Sequence, residues 1–182
     1  MKLILASRNK HKLREWRDAL PGWEVVPLGG TDEPTEDGAT FVENARIKAR
    51  HGRHASRHEA WVAGEDSGIE VATLGGGPGI ESARWSAEPV ARLLAEVEGV
   101  ENRSARYVCE VVALDRSGAE VRASGTLEGT IAQGPSGTEG FGYDPIFIPR
   151  GESLTVAMLG DPWKAAHSHR AQAARALAAL LR

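Results

Sequence analysis

The sequence predicts an α/β protein with a mixed β-sheet and flanking helices. Two observations carry this. In the N-terminal half, short apolar runs alternate with segments of 3.6-residue periodicity, the pattern of strands joined by helices. After residue 100 the pattern becomes two strand-like runs joined by a short polar turn, an antiparallel hairpin. At 182 residues, without repeats or a low-complexity linker, the chain reads as one domain over 1–182 with a sizeable core.

Lys2 to Ala6 is an apolar run that reads as a first, buried strand. Ser7-Arg8-Asn9-Lys10-His11 turns into a helix over 11–20, where Leu13, Trp16 and Leu20 share a face. Pro21-Gly22 stops the helix, and Trp23 to Leu28 reads as a second strand. A loop rich in Gly, Asp, Glu and Pro follows over 29–39. Thr40 with Glu43 forms a capping box opening a helix that runs to about His58. Ala60 to Ala63 reads as a third strand delivering Glu65 and Asp66 into a turn, and Ile69-Glu70-Val71 as a short fourth. Residues 88–97 are helical by periodicity, with Val90, Leu93, Leu94 and Val97 on one stripe. Tyr107 to Leu114 and Glu120 to Thr126 form the hairpin and suggest a second lobe. A glycine-rich stretch (134–142) leads to Tyr143-Asp144-Pro145 and the apolar Ile146-Phe147-Ile148. An Ala/Leu-rich helix then runs from about Ser168 to Leu181.

A net charge of −3 argues against general attraction to nucleic acid or anionic membrane, yet leaves room for a local cation cluster around a small anion. The single Cys109 excludes an intrachain disulfide and fits a reducing compartment; within Tyr-Val-Cys-Glu-Val-Val it reads as a buried strand residue. No signal peptide is visible, and no run approaches the ~20 apolar residues of a membrane span. The expectation is a cytoplasmic protein with no nucleic-acid and no membrane partner.

Asp66, in Glu65-Asp66-Ser67-Gly68, sits where open α/β sheets place chemistry. Adjacent carboxylates beside a tight turn suit a divalent cation and a water to be deprotonated; a plain strand-ending turn explains them as well. Ser7-x-Asn9-x-x-Lys12-x-x-Glu15 puts a hydroxyl, an amide and a lysine at a strand-to-helix junction, where N–H groups and the helix dipole attract anions. The glycines of a Walker A loop are absent, and Asn9 as a cap beside a solvated Lys12 is the alternative. Glu36 lies in an acidic loop from which it can reach a metal, and Asn44 can brace a loop or touch a ligand; a solvated acidic loop and an ordinary helix start are the default reading. In Gly137-Thr138-Glu139-Gly140-Phe141-Gly142-Tyr143-Asp144-Pro145, aromatics between glycines can offer ring faces to a flat ligand, or simply build a turn. Lys164, His169 and Arg170 flank the start of the last helix, where cations oppose the dipole. They meet something anionic or carbonyl-rich, or they form a solvated patch. His51, His54 and His58 stand among Arg50, Arg53 and Arg57 and read as a solvated basic face, not a metal site.

Taken in order, these motifs resemble the inosine/xanthosine triphosphate pyrophosphatase (Ham1-like) family over nearly the whole chain. The most specific pieces are Glu65-Asp66-Ser67-Gly68 with Gly75-Gly76-x-Pro78-Gly79 and Ser82-Ala83-Arg84, then Gly140-Phe141-Gly142-Tyr143-Asp144-Pro145, then Ser168-His169-Arg170. The resemblance implies an elongated sheet with two lobes around a nucleotide cleft, and a homodimer. It implies that Ser7, Arg8, Asn9, Lys10, His11 and Lys12 hold a triphosphate, that Asp66 binds Mg²⁺ and activates water, and that Glu36 is the second metal carboxylate. Ser67 would touch the nucleotide, and Phe141, Gly142, Tyr143 and Asp144 would stack on and hydrogen-bond the base. Lys164, His169 and Arg170 would read the purine 6-oxo edge. The implied reaction converts ITP, dITP or XTP to the monophosphate and pyrophosphate, cleansing the nucleotide pool. The rival class is a Maf-type pyrophosphatase acting on pyrimidine or modified nucleotides; a nucleotide sensor with a decayed site is a non-enzymatic alternative. The chain departs from the family pattern at Glu65, at Glu139 in place of a glycine, in a short 86–100 segment, and at Gly160-Asp161-Pro162-Trp163 before Lys164.

Overall fold

The computed structural model describes residues 1–30, 32–56 and 59–181. Among them, six strands form one mixed sheet in the order β2-β1-β3-β4-β5-β6. β1 (Lys2–Leu5) is parallel to both β2 (Glu24–Pro27) and β3 (Trp61–Val71), joined by helices α1 (Lys10–Ala19) and α2 (Phe41–Ala55). β4 (Ser104–Leu114), β5 (Glu120–Ile131) and β6 (Phe147–Pro149) continue the sheet in antiparallel fashion. Helix α3 (Pro89–Glu96) lies between β3 and β4 in the chain; α4 (Val156–His167) and α5 (His169–Leu180) close it.

Two readings need correction. Residues 60–71 are not a strand, a turn and a second strand: β3 runs unbroken through Glu65-Asp66-Ser67-Gly68, paired residue by residue with β4 from Val62↔Leu114 to Val71↔Ala105. Asp, Ser and Gly favour turns locally, but a ladder of that length overrides the preference. The hairpin extends the one mixed sheet, as expected. The two lobes appear as two apolar cores on one continuous sheet: Leu3, Leu5, Trp16, Ala63, Cys109, Val111 and Leu177 around α1 and α5, then Ile69, Val71, Leu93, Tyr107, Ile131 and Phe147 toward α3. Second, Lys164 precedes the last helix as expected, yet it sits inside a further helix, α4, hidden in the sequence by Gly160 and Pro162.

Local rules explain the rest. Asn9 Oδ1 accepts from the N–H groups of His11 and Lys12 and starts α1. Thr40 accepts from Glu43 N, while Glu43 reaches back to Ala39 N, a capping box displaced by one residue. α2 ends at Ala55, and the expected end at His58, with Arg57, lies outside the described residues. α2 covers the opposite face of the sheet through Ala45, Ala49, Val112 and Leu114. It packs closely because Gly64 has no Cβ, which would collide with the Ala45 carbonyl. No described helix is long and apolar enough to cross a membrane.

Candidate active site

β1 stops at Leu5, opposite Ala63, while β3 continues to Val71. Among the described residues, the β3 edge beyond Ala63 meets no further strand until an isolated bridge from Glu70 to Pro78. A cleft of about 460 Å³ opens along that gap, with Ser7, Asn9 and Lys12 on one side and Phe141 to Asp144 on the other. Its size suits a small-molecule ligand.

Strand alternation sends Glu65 and Asp66 to opposite faces of the sheet, so the expected carboxylate pair does not exist. Glu65 turns toward α1 and α5. Its Oε2 accepts from Trp16 Nε1 at 2.7 Å and Arg170 Nε at 2.8 Å, and its Oε1 lies 2.8 Å from Lys12 Nζ. Arg170 also donates to Glu15 Oε2 at 2.6 Å and to Ser67 Oγ at 2.7 Å. Lys164 Nζ spans Glu15 and, at 2.6 Å, Asp144 Oδ2. Asp144 further accepts from Tyr107 Oη at 3.2 Å and Phe141 N at 2.8 Å.

This network is buried, so charge balance decides its state. Burial alone raises carboxyl pKa values, but Arg170 and Lys12 outweigh it at Glu65, which stays well below the ordinary range. Arg170 and Lys164 similarly lower Glu15 against burial. At Asp144 burial wins over Lys164, and its pKa rises. His169 stacks on Tyr107 with centroids 4.6 Å apart; burial first, then Arg170, pushes it down to about 3. It is therefore a neutral imidazole, and its buried Nδ1 meets no hydrogen-bond partner among the described residues.

Asp66 faces α2. Lys48 Nζ lies 2.9 Å from Asp66 Oδ1 and 2.7 Å from Glu36 Oε2, so both carboxylates converge on one cationic point. Burial disfavours the Lys48 charge, but Asp66 and Glu36 more than offset it and raise its pKa. Asn44 donates to Asp66 Oδ2 at 3.3 Å and accepts from Gly38 N at 2.9 Å, bracing the acidic loop against the strand.

A profile described as the Ham1 family matches residues 3–180. The chain belongs to the Ham1 family. Similar curated proteins include the dITP/XTP pyrophosphatases of Bdellovibrio bacteriovorus (42% identical, covering 97% of this chain and 95% of that one) and Methylococcus capsulatus (44%, covering 100% and 96%). Among solved structures, the Staphylococcus aureus Ham1 protein superposes with a TM-score of 0.87 at 33% identity, covering 100% of this chain and 98% of that one.

Within this Ham1-family chain, the cleft gathers Ser7, Asn9, Lys12, Glu36, Asp66 and Ser67 with Phe141, Gly142, Tyr143, Asp144, Lys164, His169 and Arg170. It does not gather Arg8, Lys10 or His11. Arg8 pairs with Glu33 at the surface, and His11 stacks on Phe141 at 5.0 Å beside a second cavity. Tyr143 faces inward, its hydroxyl donating to the Ser82 carbonyl, and burial pushes its pKa up to about 12. Sequence reasoning missed Lys48 and Tyr107, and it named Glu15 in the first motif without giving it a role. Lys48 lies one helical turn after Asn44 on the covered side of α2, and Glu15 adjoins Trp16. Those positions were the available signals; Tyr107 gave none.

Proposed function

We propose that the protein hydrolyses dITP, ITP and XTP to the monophosphate and pyrophosphate. The observation that carries this reading is the cleft's polarity. Converging carboxylates stand at one end and a buried neutral imidazole with an unpartnered nitrogen at the other. Relatives covering nearly the whole chain carry the name dITP/XTP pyrophosphatase, and nothing in the comparisons favours a Maf-type activity.

In this reading Lys12 and Lys48, both at the cleft, meet the polyphosphate, and Asp66 takes a proton from the attacking water. The oxygen donors of Asp66 and Glu36 suit a hard divalent cation such as Mg²⁺, because both already reach one shared cationic point. When bound, that ion supplies charge neutralisation on the phosphates and acidifies water. At the far end Phe141 packs against the base, while His169 donates to a 6-oxo group. Lys164 and Arg170 carry donors only, so the 6-amino group of adenine meets no acceptor on them. We extend the reading to a cytoplasmic homodimer folded as one domain; gel filtration against mass standards tests the dimer.

The deciding experiment is pyrophosphate release across purine and pyrimidine triphosphates with Mg²⁺. ITP, dITP and XTP should exceed ATP, UTP and dTTP by at least about tenfold in kcat/KM, and EDTA should silence the enzyme until Mg²⁺ returns. Preference for UTP or dTTP would overturn the assignment.

A further inference from the structure

We propose that Glu139 is a positioning residue: its carboxylate caps the helical turn that carries Lys164 and so sets where that ammonium stands over Phe141. At Gly160 the backbone of α4 leaves the helix (φ 83°, ψ 177°), and the helix starts again at Asp161. A restarted helix has unsatisfied N–H groups in its first turn, and the glycine ahead of it has no side chain to accept from them. Glu139 supplies the acceptor from a distant part of the chain: its Oε2 takes the Asp161 N–H at 2.9 Å. A serine or threonine at 160 does not fit. The positive φ disfavours a side chain, and a Cβ would stand 2.6 Å from Glu139 Oε2. Pro162 is tolerated because first-turn N–H groups have no intrahelical partner. Arg14 of α1 pairs with the Asp161 carboxylate and fixes the same turn from the other side.

Lys164 lies three residues on, buried, bonded to Asp144 and 4.7 Å from the centre of the Phe141 ring. Glu139, Phe141 and Asp144 belong to one loop, which also grips the first half of α4. Glu139 N donates to the Ala157 carbonyl at 3.3 Å, and Thr155 Oγ1 to the Ser136 carbonyl at 2.6 Å. The loop that carries the ring and the carboxylate thus also holds the turn that carries the ammonium they meet. Glu139 and the Gly160-Asp161-Pro162-Trp163 stretch, two departures from the family pattern, are two halves of one contact.

The test compares wild type with Glu139→Ala and Glu139→Gln, since glutamine keeps a carbonyl that can accept from Asp161 without the charge. By NMR, the Asp161 amide should exchange at least about tenfold faster in the alanine variant and stay near wild type in the glutamine variant. The Lys164 side-chain shifts, which feel the Phe141 ring current, should move in the first and not in the second. Resting on the proposed hydrolysis, KM for dITP should rise about tenfold in Glu139→Ala with kcat nearly unchanged, and Glu139→Gln should match wild type. Unchanged amide exchange overturns the cap, and so does a glutamine variant that behaves like alanine. Faster exchange with unmoved Lys164 shifts, or with an unmoved KM, overturns the positioning role. A wild type inactive on dITP refutes the hydrolysis reading alone, and the two NMR readouts still decide this one.

Discussion

On one face of β3, Glu65 has no exposed side-chain surface and meets Trp16, Arg170 and Lys12. On the other face, Asp66 shares the Lys48 ammonium with Glu36, whose side chain keeps 29% of its surface exposed. The first arrangement is dry, with its charges paired inside the protein, so Glu65 and Arg170 are held in place before any ligand arrives. In the second, one lysine serves two acids beside open solvent, so its partners can be exchanged when a more highly charged group enters. Neighbouring residues in one strand have opposite tasks because the pleat gives them different surroundings. A rigid end suits recognition of a neutral ring, and an exchangeable end suits polyphosphate.

The largest effect expected is at the exchangeable end. Asp66→Asn should lower kcat by about 10³-fold, within the range for loss of an acid–base group, with a melting temperature close to wild type. Retention of more than about a tenth of wild-type turnover would remove Asp66 from the proton-transfer role. Glu65→Gln should invert that profile. It leaves Lys12 without its acid and Arg170 with Glu15 alone, an excess of positive charge in a buried site, and should cost about 3 kcal/mol of stability in urea unfolding. A loss below about 1 kcal/mol would mean that the network is wetter than its geometry indicates.

His169 gives a pH test of the dry end. Its folded pKa of about 3 lies below the ordinary 6.5, so the unfolded chain binds a proton first as the medium is acidified. This contribution to stability is full above about pH 6.5 and falls steadily as pH drops toward 3. At pH 5 the loss is about 2 kcal/mol relative to neutrality. His169→Gln should flatten the stability curve between pH 7 and 5; an unchanged slope would mean that His169 protonates normally. The smallest effect belongs to Glu36→Gln, which should raise the Mg²⁺ concentration for half activity about tenfold and leave stability within about 0.5 kcal/mol. A stability loss as large as that of Glu65→Gln would erase the contrast between the two ends.

Much of this was legible in the sequence because the signals were local. Trp16 and Leu20 on one stripe, the Thr40 cap and the hairpin strands each depend on residues a few positions apart. The partition of Glu65 from Asp66 was not legible. It follows from β4 pairing with β3 from Val62 to Val71, which sets Glu65 opposite Val111 and Asp66 opposite Glu110 and overrides the turn chemistry of Asp-Ser-Gly. Lys48 was hidden for a related reason: a lysine on an amphipathic helix reads as solvated until the sheet beneath it presents two acids. The segment 137–145 had two readings; a turn is present, with the Asp144 carboxylate accepting from Phe141 N and meeting Lys164, and Phe141 to Asp144 also line the cleft. The cleft gathered most of the expected residues because motif order survives where register cannot be foreseen.

Gly64 carries a last consequence. The bare backbone there lets α2 settle against the sheet, and α2 brings Asn44 and Lys48 to Asp66. One missing methyl group therefore governs the gauge of the acid seat from two residues away, without touching any nucleotide. An alanine at that position would lift the helix like a shim under a hinge and part the lysine from its acids, although every reactive side chain would still be present.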